Sequence, residues 1–338
     1  MHFNGVDLNL LVALDALLRE RNVSRAADAL RVTQSTMSGA LNRLRTQFDD
    51  AILVQTGRRM VPTSLGLAMA DPLRKILVQV QALVDASLEF MPSKAKRHFR
   101  IIASDYITSI VLPKVLLRAR NEAPGVSVEV LPVPARTGEA LSNGDVDLAF
   151  LPKELSFADH PSEAVLSDSY TCVVGKYSSD KPLTAEEYLS ASHVICRFGD
   201  GITRPFDEHA LDRKGYKRQI DVVVASFNQV PWFVAGTSRI ATLPSRLAHI
   251  YVQSHQLQAF PMPVDIGGLT EAVQWHRSRS DDAGLTWLRR LIQSEMGTNA
   301  CETNYSQSRL EAVSPRLRSR VCLDNWRLER RSCLGGRI

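Results

Sequence analysis

The chain is poor in the features that mark membrane, secreted and metal-bound proteins. No apolar run approaches the ~18 residues needed to span a bilayer. The opening stretch MHFNGVDLNLLVALDALL is interrupted by Asp7 and Asp15 and has no basic region ahead of it. It does not read as a signal peptide, so a cytoplasmic setting without membrane partners is expected. The five cysteines, at 172, 196, 301, 322 and 333, form no CxxC and no Cys/His zinc spacing. They are expected as free thiols, with Cys172 in an apolar core strand. None of the eight histidines stands in metal spacing with a helical Glu or a Cys, and His193 on an apolar strand is read as a core residue. GxSxG, HExxH, GxxxxGKS and GxGxxG are all missing, which removes the common hydrolase, metalloprotease and nucleotide-binding signatures. No catalytic residue, metal or cofactor is expected.

Charge is also sparse where it would be most telling. Lysine is absent from residues 1–63, where eight arginines face six acids. Much of the chain's +5 comes from beyond residue 297, where eight arginines face four acids. Net charge therefore makes no case for nucleic acid by itself; placement must. At 338 residues, 44% of them hydrophobic, the chain has room for two or three domains with proper cores.

What is present is most informative at residues 23–44, VSRAADALRVTQSTMSGALNRL. Ser24 is expected to cap a short helix whose Ala26, Ala27, Ala29 and Leu30 allow close packing, and Thr33 to cap a longer one. Met37, Ala40, Leu41 and Leu44 fall on one face of a 3.6-residue helix. Ser35, Ser38, Gly39, Asn42, Arg43 and Thr46 are left pointing outward. This is the pattern of a helix-turn-helix whose second helix enters a major groove. A broad leucine face predicts a supporting helix over 7–19, with Asp7 at its positive end. After the pair, an apolar triplet, a glycine turn and a second short strand predict a wing with Arg58 and Arg59 at its tip. Basic wing tips meet phosphate or the minor groove, although an arginine pair on a solvated hairpin would look the same.

Residues 64–89 repeat apolar side chains at Leu73, Ile76, Val80 and Leu83, a coiled-coil seam about 37 Å long that Pro72 should kink or break. Dimerisation through this helix is the natural inference; packing on its own chain is the alternative. The polar segment MPSKAKR at 91–97 reads as a hinge. From Phe99 onward the pattern alternates strand and helix, with near-continuous apolar strands such as FRIIAS, VSVEVLPV and VDLAFLP. A helix is expected over 107–121 and a last one over 282–294. This predicts parallel sheets covered on both faces, arranged as two small α/β lobes around a cleft.

Ligands in such folds bind beyond the carboxyl ends of the strands. Those ends carry Ser104, Asp105 and Tyr106; Pro152; Arg197 and Phe198; and Ser226, Phe227 and Asn228. As a set they could hold the polar groups of an aromatic ligand, though each serine alone reads equally well as a helix cap. Residues 298–338, rich in Arg and Ser, read as a flexible basic tail.

The order of these parts, and the segments DLNLLVALDALLRERNVSRAADAL, TQSTMSGALNRLR, EAPGVSVEVLP, GDVDLAFLP, VVVASFNQVP, GTSRIATLPSRL and LTEAVQW, resemble the LysR-type transcriptional regulators. Within that family they look most like the NodD-type nodulation regulators and related members that respond to aromatic compounds. The resemblance runs from about residue 1 to 296.

It implies a winged helix-turn-helix at 6–63 (helix-turn-helix 23–42) and a dimerisation linker helix at 64–91. It also implies a two-lobed, periplasmic-binding-protein-like α/β effector domain at 92–297. Lobe I would take about 98–167 and 267–297, and lobe II about 168–266. It further implies a homotetramer built as a dimer of dimers, bound to promoter DNA, working with RNA polymerase and sensing a small aromatic inducer. Family DNA contacts correspond to Gln34, Ser35, Ser38, Arg58 and Arg59. Many members carry Pro at Ser35 and a longer polar residue at Gly39, which moves base reading toward Asn42 and Arg43. Ser24, Arg25 and Thr36 complete the candidate DNA contacts. An activator of nodulation genes answering to a flavonoid, a regulator of aromatic degradation, and a DNA-bound regulator without ligand are the readings left open; an α/β enzyme with a DNA-binding head lacks any catalytic constellation.

Overall fold

The computed structural model describes residues 7–297 except 58, 86–89, 177–180, 200 and 202. The expectations for Arg58, for the basic tail and for the last turn of the linker helix lie outside the described residues.

The amino-terminal unit is three helices and a wing: α1 (Leu8–Glu20), α2 (Val23–Leu30), α3 (Gln34–Phe48), β1 (Leu53–Thr56) and β2 (Arg59–Pro62). Each helix starts on a side-chain cap. Asp7 accepts from the Asn9 amide at 2.9 Å, Asn22 from Arg25 at 3.0 Å and Thr33 from Thr36 at 3.2 Å. The cap of α2 is thus Asn22 and not Ser24, because the helix starts two residues earlier and leaves Ser24 exposed in the first turn. Ala26 and Ala27 of α2 and Met37, Leu41 and Leu44 of α3 close over Leu10, Leu14 and Leu17 of α1. The wing is an antiparallel ladder from Leu53↔Pro62 to Thr56↔Arg59, turned at Gly57, whose φ of +62° favours a residue without a side chain.

α4 (Ser64–Asp85) runs through Pro72 without interruption. Proline removes one backbone donor, but packing of Met69 and Ala70 before it and of Leu73 and Leu77 after it holds the helix together. Leu73 and Leu77 belong to the core of the amino-terminal unit, so Leu73 faces its own chain and not a seam with a partner. Arg74 pairs with Asp15 of α1 at 3.2 Å. Ile76, Leu83 and Val84 stay exposed, the last two by 76% and 73%.

Beyond a 3-10 turn at Pro92–Lys94 the chain builds two five-stranded sheets. The first contains β3 (Arg97–Ile102), β4 (Val126–Leu131), β5 (Leu148–Pro152), β6 (Ser162–Asp168) and β12 (Leu269–Gln274), in the order β4-β3-β5-β12-β6. The second contains β7 (Tyr170–Gly175), β8 (Ser192–Cys196), β9 (Gln219–Val224), β10 (Ile240–Pro244) and β11 (Leu257–Pro261), in the order β11-β7-β10-β8-β9. The helices are α5 (Asp105–Ile110), α6 (Leu112–Glu122), α7 (Thr137–Ser142), α8 (Ala185–Ser190), α9 (Phe206–Arg213), α10 (Val230–Val234), α11 (Ser245–Ser254) and α12 (Ala283–Gly297).

Three expectations are corrected. The helix expected over 107–121 is two helices, broken at Val111 ahead of Pro113. Strand β6 was not anticipated, its alternation being diluted by Ser162, Glu163, Ser167 and Asp168. The sheets are mixed: β12 is antiparallel to β5 and β6, and β7 is antiparallel to β10 and β11. The reason is topological. β7 and β12 are the strands the chain enters after crossing from one sheet to the other. The parallel strands leave their sheets at the crossing side, so a strand arriving from that side must run the opposite way.

Candidate functional site

In the helix-turn-helix, the turn before α3 is tied by side-chain hydroxyls. Thr33 Oγ1 lies 2.8 Å from both Ser35 Oγ and Thr36 Oγ1. Gln34, Ser35, Thr36, Asn42 and Arg43 are exposed and Ser38 is half-buried; Ser35, Thr36, Ser38, Asn42 and Arg43 lie off the stripe of Met37, Leu41 and Leu44, and Gln34 sits at its amino-terminal end. Arg45, which sequence reasoning passed over, links the helix to the wing. Its Nε donates to the Ala51 carbonyl at 3.0 Å and its Nη2 to Leu53 at 3.1 Å. Arg43 pairs with Asp7 at 3.4 Å, so that cation is partly engaged. Arg25 donates to the Glu20 carbonyl at 2.6 Å and stays exposed beside Ser24, while Arg59 is exposed at the start of β2.

The second candidate lies where the two sheets meet. A cavity of about 60 Å³ is lined by Ser104, Tyr106, Val133, Phe150, Leu151, Pro152, Leu155, Tyr170, Phe198, Thr203, Arg204, Pro205, Phe206, Phe227, Pro244, Leu269 and Glu271. Its residues come from the carboxyl ends of β3, β5 and β10, from the segments after β4, β5, β8 and β9, and from the incoming ends of β7 and β12. Phe198 and Phe227 meet edge to face at 5.5 Å, and Tyr170 and Phe206 stack at 6.5 Å. Such pairs give an aromatic guest both faces and edges to pack on.

The structure brings Ser104, Tyr106, Pro152, Phe198 and Phe227 together in this cavity and leaves Asp105, Arg197, Ser226 and Asn228 off its lining. The four have other partners. Asp105 Oδ2 accepts from Ser226 Oγ at 2.6 Å and from the Asn228 amide at 2.7 Å, joining the first sheet's α5 to the turn after β9. Asn228 Oδ1 accepts from Tyr251 at 2.6 Å. Arg197 is held by Glu208 at 2.6 and 3.2 Å. Strong local partners pull these side chains out of reach, something strand-end position alone does not reveal.

Tyr106 Oη donates to Asp168 Oδ2 at 2.7 Å, and the Arg246 amide donates to the same oxygen at 3.1 Å. Burial, then the Asp168 carboxylate, holds the Tyr106 hydroxyl well above its ordinary pKa, so it remains a donor. Ser104 caps α5, its Oγ accepting from Ile107 at 3.4 Å. Sequence reasoning missed Tyr170, Phe206, Arg204 and Glu271. Of these Glu271 carried a signal, a single acid inside the apolar run LTEAVQW. Burial, then Glu154 and Asp168, pushes its carboxyl up to about 8.

His193 is a core residue. Its ring packs edge-on to Tyr188 at 4.7 Å, and Nε2 donates to the Tyr188 carbonyl at 2.7 Å. Cys172 and Cys196 are buried thiols, and burial pushes Cys172 up to about 12. Among the described residues no cluster of three His, Cys, Asp or Glu could hold a metal, and no helix is long and apolar enough to cross a membrane.

The chain matches the model for the bacterial regulatory helix-turn-helix protein of the lysR family over residues 8–67, and that for the LysR substrate binding domain over residues 93–297. It is 39% identical over 297 residues to Nodulation protein D 2 of Rhizobium tropici, covering 87% of this chain and 94% of the relative. Among solved structures, it resembles a probable transcriptional regulator from Pseudomonas aeruginosa with a TM-score of 0.61 at 26% identity, over 86% of this chain and 98% of that one. It shares the fold of full-length OxyR from Pseudomonas aeruginosa, with a TM-score of 0.66 at 16% identity, over 86% of this chain and 95% of that one. A capped helix-turn-helix with its wing, a long connecting helix and two facing sheets, matched along this length, make the chain a member of the LysR family of bacterial transcriptional regulators, not an enzyme.

Proposed function

We propose that this regulator is an inducer-responsive activator of the nodulation type, which binds promoter DNA through α3 and the wing and a small aromatic compound in the cleft between its sheets. The cleft carries this reading. Four phenylalanines and two tyrosines line it, with few polar groups among them. A dry apolar cavity of roughly 150 Å³ takes up a benzene ring. The present cavity of about 60 Å³ is smaller, so an aromatic guest must part its walls. Because the walls belong to both sheets, a guest that binds the parted arrangement better shifts the population toward it.

The path to the DNA-binding unit is short. Val78 of α4 lies against Gly144, just beyond α7, and Arg19 of α1 stands 3.8 Å from Asp145. Displacement of the first sheet's helices is thereby felt by the linker and by α1. The exposed Ile76, Leu83 and Val84 of α4 support self-association through the linker helix, on which a dimer of dimers would be built. RNA polymerase is the partner an activator then engages. Gln34, Ser35, Thr36, Ser38, Asn42 and Arg43 are the base-reading and positioning candidates on α3, with Ser24, Arg25, Arg58 and Arg59 at its flanks.

The test is a promoter reporter, with parallel binding assays on the upstream DNA, challenged with flavonoids, simple phenols and chlorinated aromatics. A flavonoid response at nodulation promoters is expected. A response confined to simple aromatics next to degradation genes would favour the degradation reading, and none at all would favour a ligand-independent regulator.

A further inference from the structure

The carboxyl of Glu271, in the wall of the cleft near the Tyr170 hydroxyl, is left without a hydrogen-bond donor. Glu271 sits in β12, between β5 and β6, paired in register with Pro152 and Leu166. The ladder to β6 slips between Glu271 and Ala272, a bulge that re-aims the side chain. Glu271 is 5% exposed and lines the cavity beside Leu269, Leu151, Leu155 and Tyr170. Among the described residues nothing donates a hydrogen bond to its carboxyl. Buried polar groups are normally satisfied, and one aimed into a cavity is satisfied by what enters.

The surrounding charges define what can enter. Glu154, after β5, and Asp168, at the end of β6, are the acids acting on Glu271. Asp168 is engaged by Tyr106 and by the amides of Ser169 and Arg246. The cation in the lining, Arg204, is neutralised by Glu208 at 2.9 Å and by Asp212. Arg246, at the start of α11, acts on Tyr106.

We infer that Glu271 is the specificity residue of the cleft: it pairs with a hydroxyl on the aromatic guest and, with Asp168 and Glu154 behind it, turns away aromatic carboxylates. The inference rests on the reading of the cleft as the effector site. With its carboxyl pushed up to about 8, Glu271 is mostly protonated at neutral pH. It can then accept from a guest hydroxyl and donate to an oxygen beside it. A carboxylate guest would instead add a third anion to a desolvated acidic site.

The experiment is calorimetric titration of the full-length chain with 2-naphthol, 2-naphthoate and naphthalene, three guests of one ring size. Wild type is expected to bind 2-naphthol at least about tenfold tighter than 2-naphthoate, the worth of one hydrogen bond. That preference should grow between about pH 7 and pH 8.5 as the carboxyl ionises. Glu271→Gln should keep naphthol binding but lose the pH dependence of the preference. Glu271→Leu should lose roughly tenfold for naphthol and leave naphthalene unchanged. Equal binding of naphthol and naphthoate by wild type, or full naphthol affinity in Glu271→Leu, overturns the role of Glu271 while leaving an aromatic cleft standing. Failure of all three guests to bind overturns both.

Discussion

Ser226 Oγ donates to Asp105 Oδ2 at 2.6 Å, across 121 residues of sequence. The two residues stand at strand ends in different sheets, where a ligand's polar groups were expected to find them, and instead they hold each other. Asp105 also accepts from the Asn228 amide, so one carboxylate oxygen ties α5 to the turn after β9 while Asp105 Oδ1 is buried without a partner. Ser226→Ala should lower unfolding free energy by about 1.5–3 kcal/mol, as expected for a hydrogen bond to a charged acceptor. If parting of the sheets accompanies binding, the same variant should respond to less inducer. Urea unfolding and a reporter dose curve measure the two effects.

The proposed reading of DNA by α3 makes a separable prediction. Asn42→Ala should lower discrimination between the preferred operator and its single-base variants by about 1–3 kcal/mol, the range for a base-edge contact. Arg59→Ala, on the wing, should weaken all duplexes similarly and reduce the slope of log affinity against log salt by about one. Fluorescence anisotropy across operator variants and salt concentrations distinguishes the two signatures.

Gly144 couples the linker to the effector region by close approach. A Cβ built there would lie 2.6 Å from Val78 Cγ2, and the backbone sits at φ +69°. Gly144→Ala should destabilise the chain by about 1–3 kcal/mol, from backbone strain together with the clash. Val78→Ala in the same chain should recover the clash and not the strain. A thermal-unfolding double-mutant cycle with a coupling of at least about 0.5 kcal/mol is expected.

Acid sensitivity should trace in part to His193. Burial lowers its pKa to about 4, against the opposing bond to the Tyr188 carbonyl, whereas the unfolded imidazole titrates near about 6.5. The folded state therefore binds fewer protons between those values. The full contribution is present above about pH 6.5 and is lost as pH falls toward about 4, by roughly 3 kcal/mol in all. His193→Gln should flatten stability across that window, as measured by urea midpoints at each pH.

The leucine periodicity of α1, the capped stripe of α3 and the glycine-turned wing were legible because each depends on neighbours within a few turns of chain. His193 and Cys172 were legible as core for the same reason, since apolar strand neighbours imply burial. Other features depend on distant partners. Leu73 has the spacing of a seam residue, but its burial follows from where α1 lies. The reversed direction of β7 and β12 follows from the crossings between sheets, which no local pattern encodes.

The cleft divides in the same way. Tyr106, Phe198 and Phe227 were found by the rule that ligands sit beyond strand ends, and they do line the cavity. Asp105, Arg197, Ser226 and Asn228 obeyed the same rule and were claimed by Ser226, Glu208, Asp105 and Tyr251, contacts invisible to sequence spacing. Glu271 was visible as an acid in an apolar strand, but its place in the wall follows from β12 entering the first sheet between β5 and β6. Sequence alone determined most of the elements, their order and the family, because periodicity, capping and turn chemistry act locally. Only the tertiary structure decided which polar side chains line the cavity and which are spent on one another, because that depends on which strands the crossings place side by side.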